Sequence, residues 1–158
     1  MRDCYFDSND CYVCPELPGS PGTPTKVEVD PNLGWNAGAV SIATLSGDVY
    51  VSDAFDAAPS GIVIGFKADR VVNTDPTRIL HGLYFYTVAN VAFVEVRELG
   101  QRVGQPMRYT LGTPWMIRRE ADRVTYWMGS VLFAATAAKT LLPLLVNACL
   151  YSAGDSVP

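Results

Sequence analysis

The stretch WMIRREADRVTYWMGSVLFAA, residues 115–135, decides the fold class of this chain. Residues that favour strands fill Trp115–Arg119, Arg123–Met128 and Val131–Ala135, and residues that favour turns separate them at 120–122 and 129–130. Connections this short join neighbouring antiparallel strands, because a parallel pair needs a crossover of about a dozen residues or more. The sequence therefore predicts an antiparallel meander of three strands.

The same pattern continues on both sides of this meander. Within residues 92–97, Ala, Val and Val alternate with Phe, Glu and Arg, so the apolar side chains share one strand face. The other candidate strands are Ala39–Leu45, Asp48–Ser52, Gly61–Lys67, Gly82–Val88, Ala92–Leu99, Met107–Leu111 and Leu144–Tyr151. Some ten short strands without helical crossovers predict an all-β fold over residues 34–158, an antiparallel β-sandwich or a barrel.

The amino-acid composition and net charge limit which classes of function this chain can have. The chain has 158 residues, of which 49% are hydrophobic and 18% charged, so it can bury a core as one domain. Its net charge is −4, and the strongly basic surface that nucleic-acid binding needs is missing, so no nucleic-acid partner is expected. The apolar segment 131–151 contains Lys139 and Pro143, which disfavour a spanning helix, and no membrane span is expected.

Residues 1–33 differ from the rest of the chain. They are rich in Cys, Pro and Gly, lack apolar periodicity and predict an extended N-terminal arm. Such a segment cannot form a core of its own, so we expect it to become ordered against a second surface. Residues 1–56 are acidic, and the basic region Arg97–Arg123 of a neighbouring copy is one candidate for that surface.

The cysteines leave three alternatives open. Cys4, Cys11 and Cys14 lie close together in the sequence, and Cys149 is the only candidate for a fourth ligand. The Cys-x₂-Cys step fits zinc or an iron–sulfur cluster, but a second close pair is missing. Reduced thiols and a disulfide are the other two alternatives, and otherwise no cofactor is expected.

Catalysis is not expected from these residue types. His81 is the only histidine, and Glu95 and Glu98 fall on opposite faces of one strand, where they cannot act as an acid/base pair. We therefore expect a protein that is not an enzyme and has no catalytic residues.

Several turn motifs carry a family resemblance. Tyr109-Thr-Leu-Gly112, the run 115–126, Gly129, and Leu150-Tyr-Ser-Ala-Gly-Asp155 resemble concanavalin A-like lectin sandwiches, with the jelly-roll architecture, of the kind found in bacteriophage tail, baseplate and tail-fibre proteins. Upstream stretches at 34–39 and 61–66 fit the start of the same sandwich. The sequence departs from the pattern at Thr113, where an acidic residue would follow the glycine.

This resemblance implies a structural component of a virion, assembled in the bacterial cytoplasm, whose partners are other tail proteins and copies of itself. The alternative that it implies is a carbohydrate-binding module that recognises glycans of the host surface. Aromatic side chains dominate both kinds of contact. The candidate ligand- or interface-binding residues are Trp35, Tyr84, Tyr86 and Trp127.

Overall fold

The computed structural model describes residues 5–6, 12–13, 26–28, 35, 37–71, 74–152, 155 and 157. A 3₁₀ helix, Pro76–Arg78, lies between two of the strands. The strands are β1 (Tyr5–Phe6), β2 (Tyr12–Val13), β3 (Lys26–Glu28), β4 (Ala37–Val40), β5 (Val49–Asp53), β6 (Gly61–Lys67), β7 (His81–Val88), β8 (Val91–Glu98), β9 (Gln101–Arg108), β10 (Trp115–Glu120), β11 (Arg123–Met128), β12 (Val131–Ala137) and β13 (Leu145–Leu150).

Two antiparallel sheets face each other. One has seven strands in the order β3-β4-β13-β6-β7-β8-β9, and the other has four in the order β12-β11-β10-β5. β1 and β2 pair with each other. The prediction of an all-β antiparallel sandwich is therefore confirmed.

The core lies between the two sheets and explains the alternation in the sequence. On β7, Leu83 and Phe85 are buried against the opposite sheet, while Tyr84 and Tyr86, which alternate with them, point outward. On the four-stranded sheet, Ile117 and Tyr126 are fully buried in the same core. β10 and β11 therefore contribute one face to the core and leave the other nearer the surface, whereas the central strands β6 and β13 are buried on both faces.

The predicted meander is confirmed. β10 pairs with β11 from Trp115 opposite Met128 to Glu120 opposite Arg123, and β11 pairs with β12. Gly129, with φ of 58°, occupies the left-handed region that a tight hairpin turn requires. β12 continues to Ala137, two residues beyond the predicted end at Ala135.

The predicted bounds differ most from the structure at two other strands. The strand predicted at Met107–Leu111 is Gln101–Arg108, because Gly104 and Pro106, which usually interrupt strands, are tolerated at the edge of a sheet. The strand predicted at Ala39–Leu45 ends at Val40. There the Ser41 hydroxyl accepts the Val146 amide at 3.0 Å and donates to the Ala43 carbonyl, so one backbone partner in the ladder is replaced by a side chain, while the Ser41 amide still donates to the Val146 carbonyl at 2.8 Å.

The predicted arm is described only in part. Three short strands of backbone fall within residues 1–33, and β3 adds to the seven-stranded sheet by pairing with β4. The other residues of 1–33 lie outside the described residues, so the assembly arm stays a prediction. In the described part of the chain, no helix is long and apolar enough to cross a membrane.

Candidate functional site: an aromatic row on the seven-stranded sheet

Two tyrosines of β7 lie on the outer face of the seven-stranded sheet. Tyr84 and Tyr86 alternate with the core residues Leu83 and Phe85, so strand geometry directs both rings away from the core. The two rings stack with centroids 4.8 Å apart and planes 26° apart. Both side chains are half-buried, which leaves part of each ring accessible.

Two further rings extend this pair on one side. The Trp35 ring lies 5.7 Å from that of Tyr84 and contacts the Tyr151 ring edge-on at 5.4 Å. The Trp35 amide donates to the Tyr151 carbonyl at 3.2 Å. Gly61 makes room for Tyr151, since a Cβ at that position would lie 2.7 Å from the Tyr151 Cβ.

The backbone of Trp35 is itself unusual. Its φ is 60°, a region that bulky side chains rarely occupy. Strained residues of this kind concentrate at binding and active sites, because the surrounding structure must hold them in place. At Trp35 the backbone hydrogen bond and the ring contact to Tyr151 supply that support.

On the other side the stack continues onto β8. The Phe93 ring stacks on Tyr86 at 5.6 Å with planes 17° apart, and the Arg108 guanidinium lies 5.7 Å from the Phe93 centroid. The Arg97 guanidinium lies 5.6 Å from the Tyr84 centroid and is ion-paired with Glu95. Two guanidinium groups therefore lie beside the rings, where the partial negative charge of the ring faces attracts cations.

We call Tyr151, Trp35, Tyr84, Tyr86 and Phe93 the aromatic row. Tyr151 is 46% exposed, and the other four side chains are half-buried. Burial raises the pKa of the Tyr84 and Tyr86 hydroxyls, so both stay protonated and able to donate at neutral pH. The row thus offers partly exposed ring surface, hydroxyl donors and guanidinium donors together.

Three of the four predicted binding residues meet in this row, and the fourth does not. Trp127 lies on β11, on the outer face of the four-stranded sheet, where its Nε1 donates to the Thr125 hydroxyl at 3.0 Å. The sequence does not show which of the two sheets will contain a given strand, so residue type alone cannot separate Trp127 from the other three.

Sequence reasoning missed Phe93 and Tyr151 as members of the row. For Phe93 a signal existed, since the alternation in 92–97 places it on the same face as Arg97. For Tyr151 no local signal exists. It reaches Trp35 only because β13 pairs with β4, which lies more than a hundred residues earlier in the chain.

Cys149 is buried beneath the row. It packs with Val63 and Ile79 on the outer face of the sheet, and Trp35 and Tyr84 cover this small cluster. Its Sγ accepts from the Asn147 amide group at 3.2 Å, and burial raises the pKa of the thiol to about 12.

A high thiol pKa disfavours the thiolate that metal binding needs. The described part of the chain contains no group of three potential metal ligands. The other three cysteines of the predicted set, Cys4, Cys11 and Cys14, lie outside the described residues, so the metal and disulfide alternatives are not tested.

A second group of chemically capable residues lies between the sheets. The Glu98 carboxylate accepts from His81 Nδ1 at 2.9 Å, from the Tyr126 hydroxyl at 2.8 Å and from the Thr136 hydroxyl at 2.5 Å, and it pairs with Lys139 Nζ at 2.9 Å. We call these five residues the Glu98 cluster. Its His, Glu and Tyr are buried.

The protonation states of this cluster follow from its hydrogen bonds. The Lys139 amide donates to His81 Nε2 at 3.0 Å, so the proton of a neutral imidazole sits on Nδ1 and is donated to Glu98. Burial lowers the pKa of His81 and favours this neutral form. Burial also acts to raise the pKa of Glu98, but the hydrogen bonds from Thr136 and the other three partners outweigh it and lower that pKa to about 2.

No protein-family model matches this chain, and no curated protein matches it. Among solved structures, it is similar to a β-glucanase of Bacillus licheniformis, at 13% identity with a TM-score of 0.38, over 74% of this chain and 59% of that chain. It is also similar to the CBM2 module of the evolved Dit of Lactobacillus casei BL23 phage J-1, at 9% identity with a TM-score of 0.40, over 82% of this chain and 67% of that chain. These likenesses concern the sandwich architecture, which the strand pairing of this chain already establishes.

Proposed function

We propose that this chain is a carbohydrate-binding sandwich whose aromatic row contacts glycans of a bacterial surface, as part of a bacteriophage tail or baseplate component. The observation that carries the proposal is the row itself. It consists of five rings on one outer sheet face, three of them contributed by residues that the sequence analysis selected for sugar stacking or interface contacts.

The chemistry of the row suits a sugar. A pyranose has apolar C–H faces and a rim of hydroxyls, and tyrosine and tryptophan combine an apolar ring with a polar tip in the same way. The Tyr84 and Tyr86 hydroxyls and the Arg108 guanidinium supply hydrogen-bond donors beside the rings.

The shape of the row favours an extended ligand. Consecutive ring centroids are 4.8–5.7 Å apart, and the rings come from β7, β8 and the segments beside β4 and β13. A polysaccharide chain lying across these strands would contact several rings at once. Each ring then adds a modest contribution, as is usual for aromatic contacts.

We propose binding without cleavage. Glycoside hydrolysis needs two carboxyl groups that flank one bond. Glu95, the carboxylate beside Tyr84, is only 2% exposed and is ion-paired with Arg97, whereas Glu98 lies on the inner face of the same strand.

The virion context rests on the sequence resemblance to bacteriophage tail, baseplate and tail-fibre sandwiches. In that context we expect other tail proteins and copies of this chain as partners. The binding proposal stands on the row alone and can be tested with the isolated protein.

The test is binding to soluble polysaccharides, including purified bacterial cell-wall polysaccharide, measured by affinity electrophoresis and calorimetry. We expect Tyr86→Ala to weaken binding at least about tenfold, the equivalent of about 1.4 kcal/mol. Trp127→Ala is the matched control, since it removes a half-buried ring from the other sheet and should leave binding unchanged. Equal binding by wild type and Tyr86→Ala, or no binding to any of these polymers, would refute the proposal.

A further inference from the structure

Among the described residues, the four edges of the two large sheets are not equivalent. The seven-stranded sheet ends at β3 and β9, and the four-stranded sheet ends at β5 and β12. β3 contains Lys26 and Glu28, and β5 ends at Asp53. An edge strand with charged residues resists pairing with another chain.

β9 is protected in a different way. It contains Pro106, which has no amide hydrogen to donate, and Gly104 with φ of 73°, at a register shift against β8. Arg102 and Arg108 add charge. Proline, irregular backbone and charge are the usual means by which natural sheets block their edges.

β12 has one of these protections, a bulge, and lacks the other two. Residues 131–138 read VLFAATAA, with no charge, proline or glycine. A bulge against β11 lies near Phe133, and regular pairing resumes from Ala134 to Ala137. Among the described residues, β12 has no strand on its outer side.

The direction of the free amides can be read from one hydrogen bond. The Ala138 amide donates to the Asp122 carbonyl at 2.7 Å, toward β11. Because successive residues of a strand point their amides to opposite edges, those of Ala135 and Ala137 point to the open side. Two donors and their carbonyls are therefore placed for pairing with another strand.

Exposed apolar side chains lie at both ends of β12. Val131 is 54% and Leu132 43% exposed at its start, and Leu141 is 71% and Leu142 66% exposed just beyond its end. In an antiparallel pair of two β12 strands, the start of each strand lies beside the end of the other. With an axis near Ala135, the exposed Leu132 of one strand would then lie opposite the uncharged end of the other strand.

We propose that β12 pairs antiparallel with β12 of a second copy of this chain, about a two-fold axis near Ala135, to make one eight-stranded sheet. A two-fold pair brings each residue opposite a residue of the same strand, so a charged edge would repel its copy, whereas β12 between residues 131 and 138 has no charge.

This inference does not rest on the proposed function. It does leave the aromatic row open, because the row lies on the other sheet, and the two copies would bind a repeating polymer with higher avidity.

The test is the mass of the full chain in solution, measured by light scattering and by sedimentation. We expect wild type to have twice the mass of the chain. Ala135→Pro removes a free edge amide without removing a bond to β11, and we expect it to lower the mass to that of one chain. Leu132→Lys leaves the backbone unchanged, places a charge beside the open edge and should weaken the dimer at least about tenfold.

Gln105→Lys, on the protected edge strand β9, is the matched control and should stay dimeric. Circular dichroism and thermal melting of each variant will show whether the sandwich is intact. A wild type that is monomeric at every concentration tested would overturn the inference. So would a dimer that survives both Ala135→Pro and Leu132→Lys, or one that Gln105→Lys also dissociates.

Discussion

The aromatic row and the Glu98 cluster contain similar residue types in opposite environments. In the Glu98 cluster one carboxylate receives hydrogen bonds from three side chains and pairs with Lys139, and its His, Glu and Tyr are buried between the sheets. In the row, tyrosine, tryptophan and phenylalanine rings pack on one another on an outer face and remain partly exposed.

The difference shows that residue types typical of functional sites do not form a binding site unless they are accessible. The cluster uses its polar groups to join β7, β8, β11 and β12 across the sandwich, so its contribution is to stability. The row leaves part of its ring surface exposed, so it is the region where we propose that a ligand binds. Substitutions in the two regions should therefore separate stability from binding.

Removing the centre of the cluster should have the largest effect. In Glu98→Ala the hydrogen bonds to His81, Tyr126 and Thr136 and the pair with Lys139 are all lost. We expect the free energy of unfolding, measured by urea denaturation, to fall by about 3–5 kcal/mol, as for other broken buried ion pairs.

The matched control is Glu120→Ala. Its carboxylate pairs with Arg118 at 2.5 Å on the surface, where both side chains are about half-exposed. A loss of less than about 1 kcal/mol is expected there. Equal losses for the two variants would remove the distinction that we draw between the buried cluster and the surface.

Acidification should have the next largest effect. Glu98 has a pKa of about 2 in the folded protein, below its ordinary value of 4.5, so its contribution to stability is complete above pH 4.5 and is lost as the pH falls toward 2. The lowered pKa of His81 acts in the same direction below pH 6.5, because the unfolded chain takes up the proton first.

We expect this acid loss to amount to about 2–3 kcal/mol, measured as unfolding free energies in urea from neutral pH downward. Glu98→Gln, which cannot titrate, should show a flatter acid limb than wild type. If the unfolding free energy of Glu98→Gln fell with pH as steeply as that of wild type, a group other than Glu98 would cause the acid loss of stability.

The sequence predicted more of the fold than of the site. Residues 115–135 contain their own turns and strand formers, so local preferences were enough to predict the meander. β9 was misplaced because its glycine and proline are tolerated only at an edge, and the order of strands within a sheet depends on long-range pairing.

The same limit applies to the candidate site. The alternation within β7 and β8 predicts the outward faces of Tyr84 and Phe93. The contact between Trp35 and Tyr151 depends on the pairing of β4 with β13, and the separation of Trp127 from the row depends on which sheet contains β11. Such pairings have no signature in a short window of sequence.

The smallest effect that we predict concerns the end of the row. The Arg108 guanidinium lies over the Phe93 ring at the exposed edge strand β9, and a cation–π contact at an exposed site contributes about 0.5–1 kcal/mol. Arg108→Gln should therefore lower the free energy of unfolding by no more than this amount, in contrast to the loss at Glu98. Arg123→Gln, an exposed arginine of β11, is the control for loss of charge alone and should change stability by less than about 0.5 kcal/mol. If Arg108→Gln lowered the free energy of unfolding nearly as much as Glu98→Ala, the end of the row would be important for stability. The distinction between a row that binds and a cluster that stabilises would then be wrong.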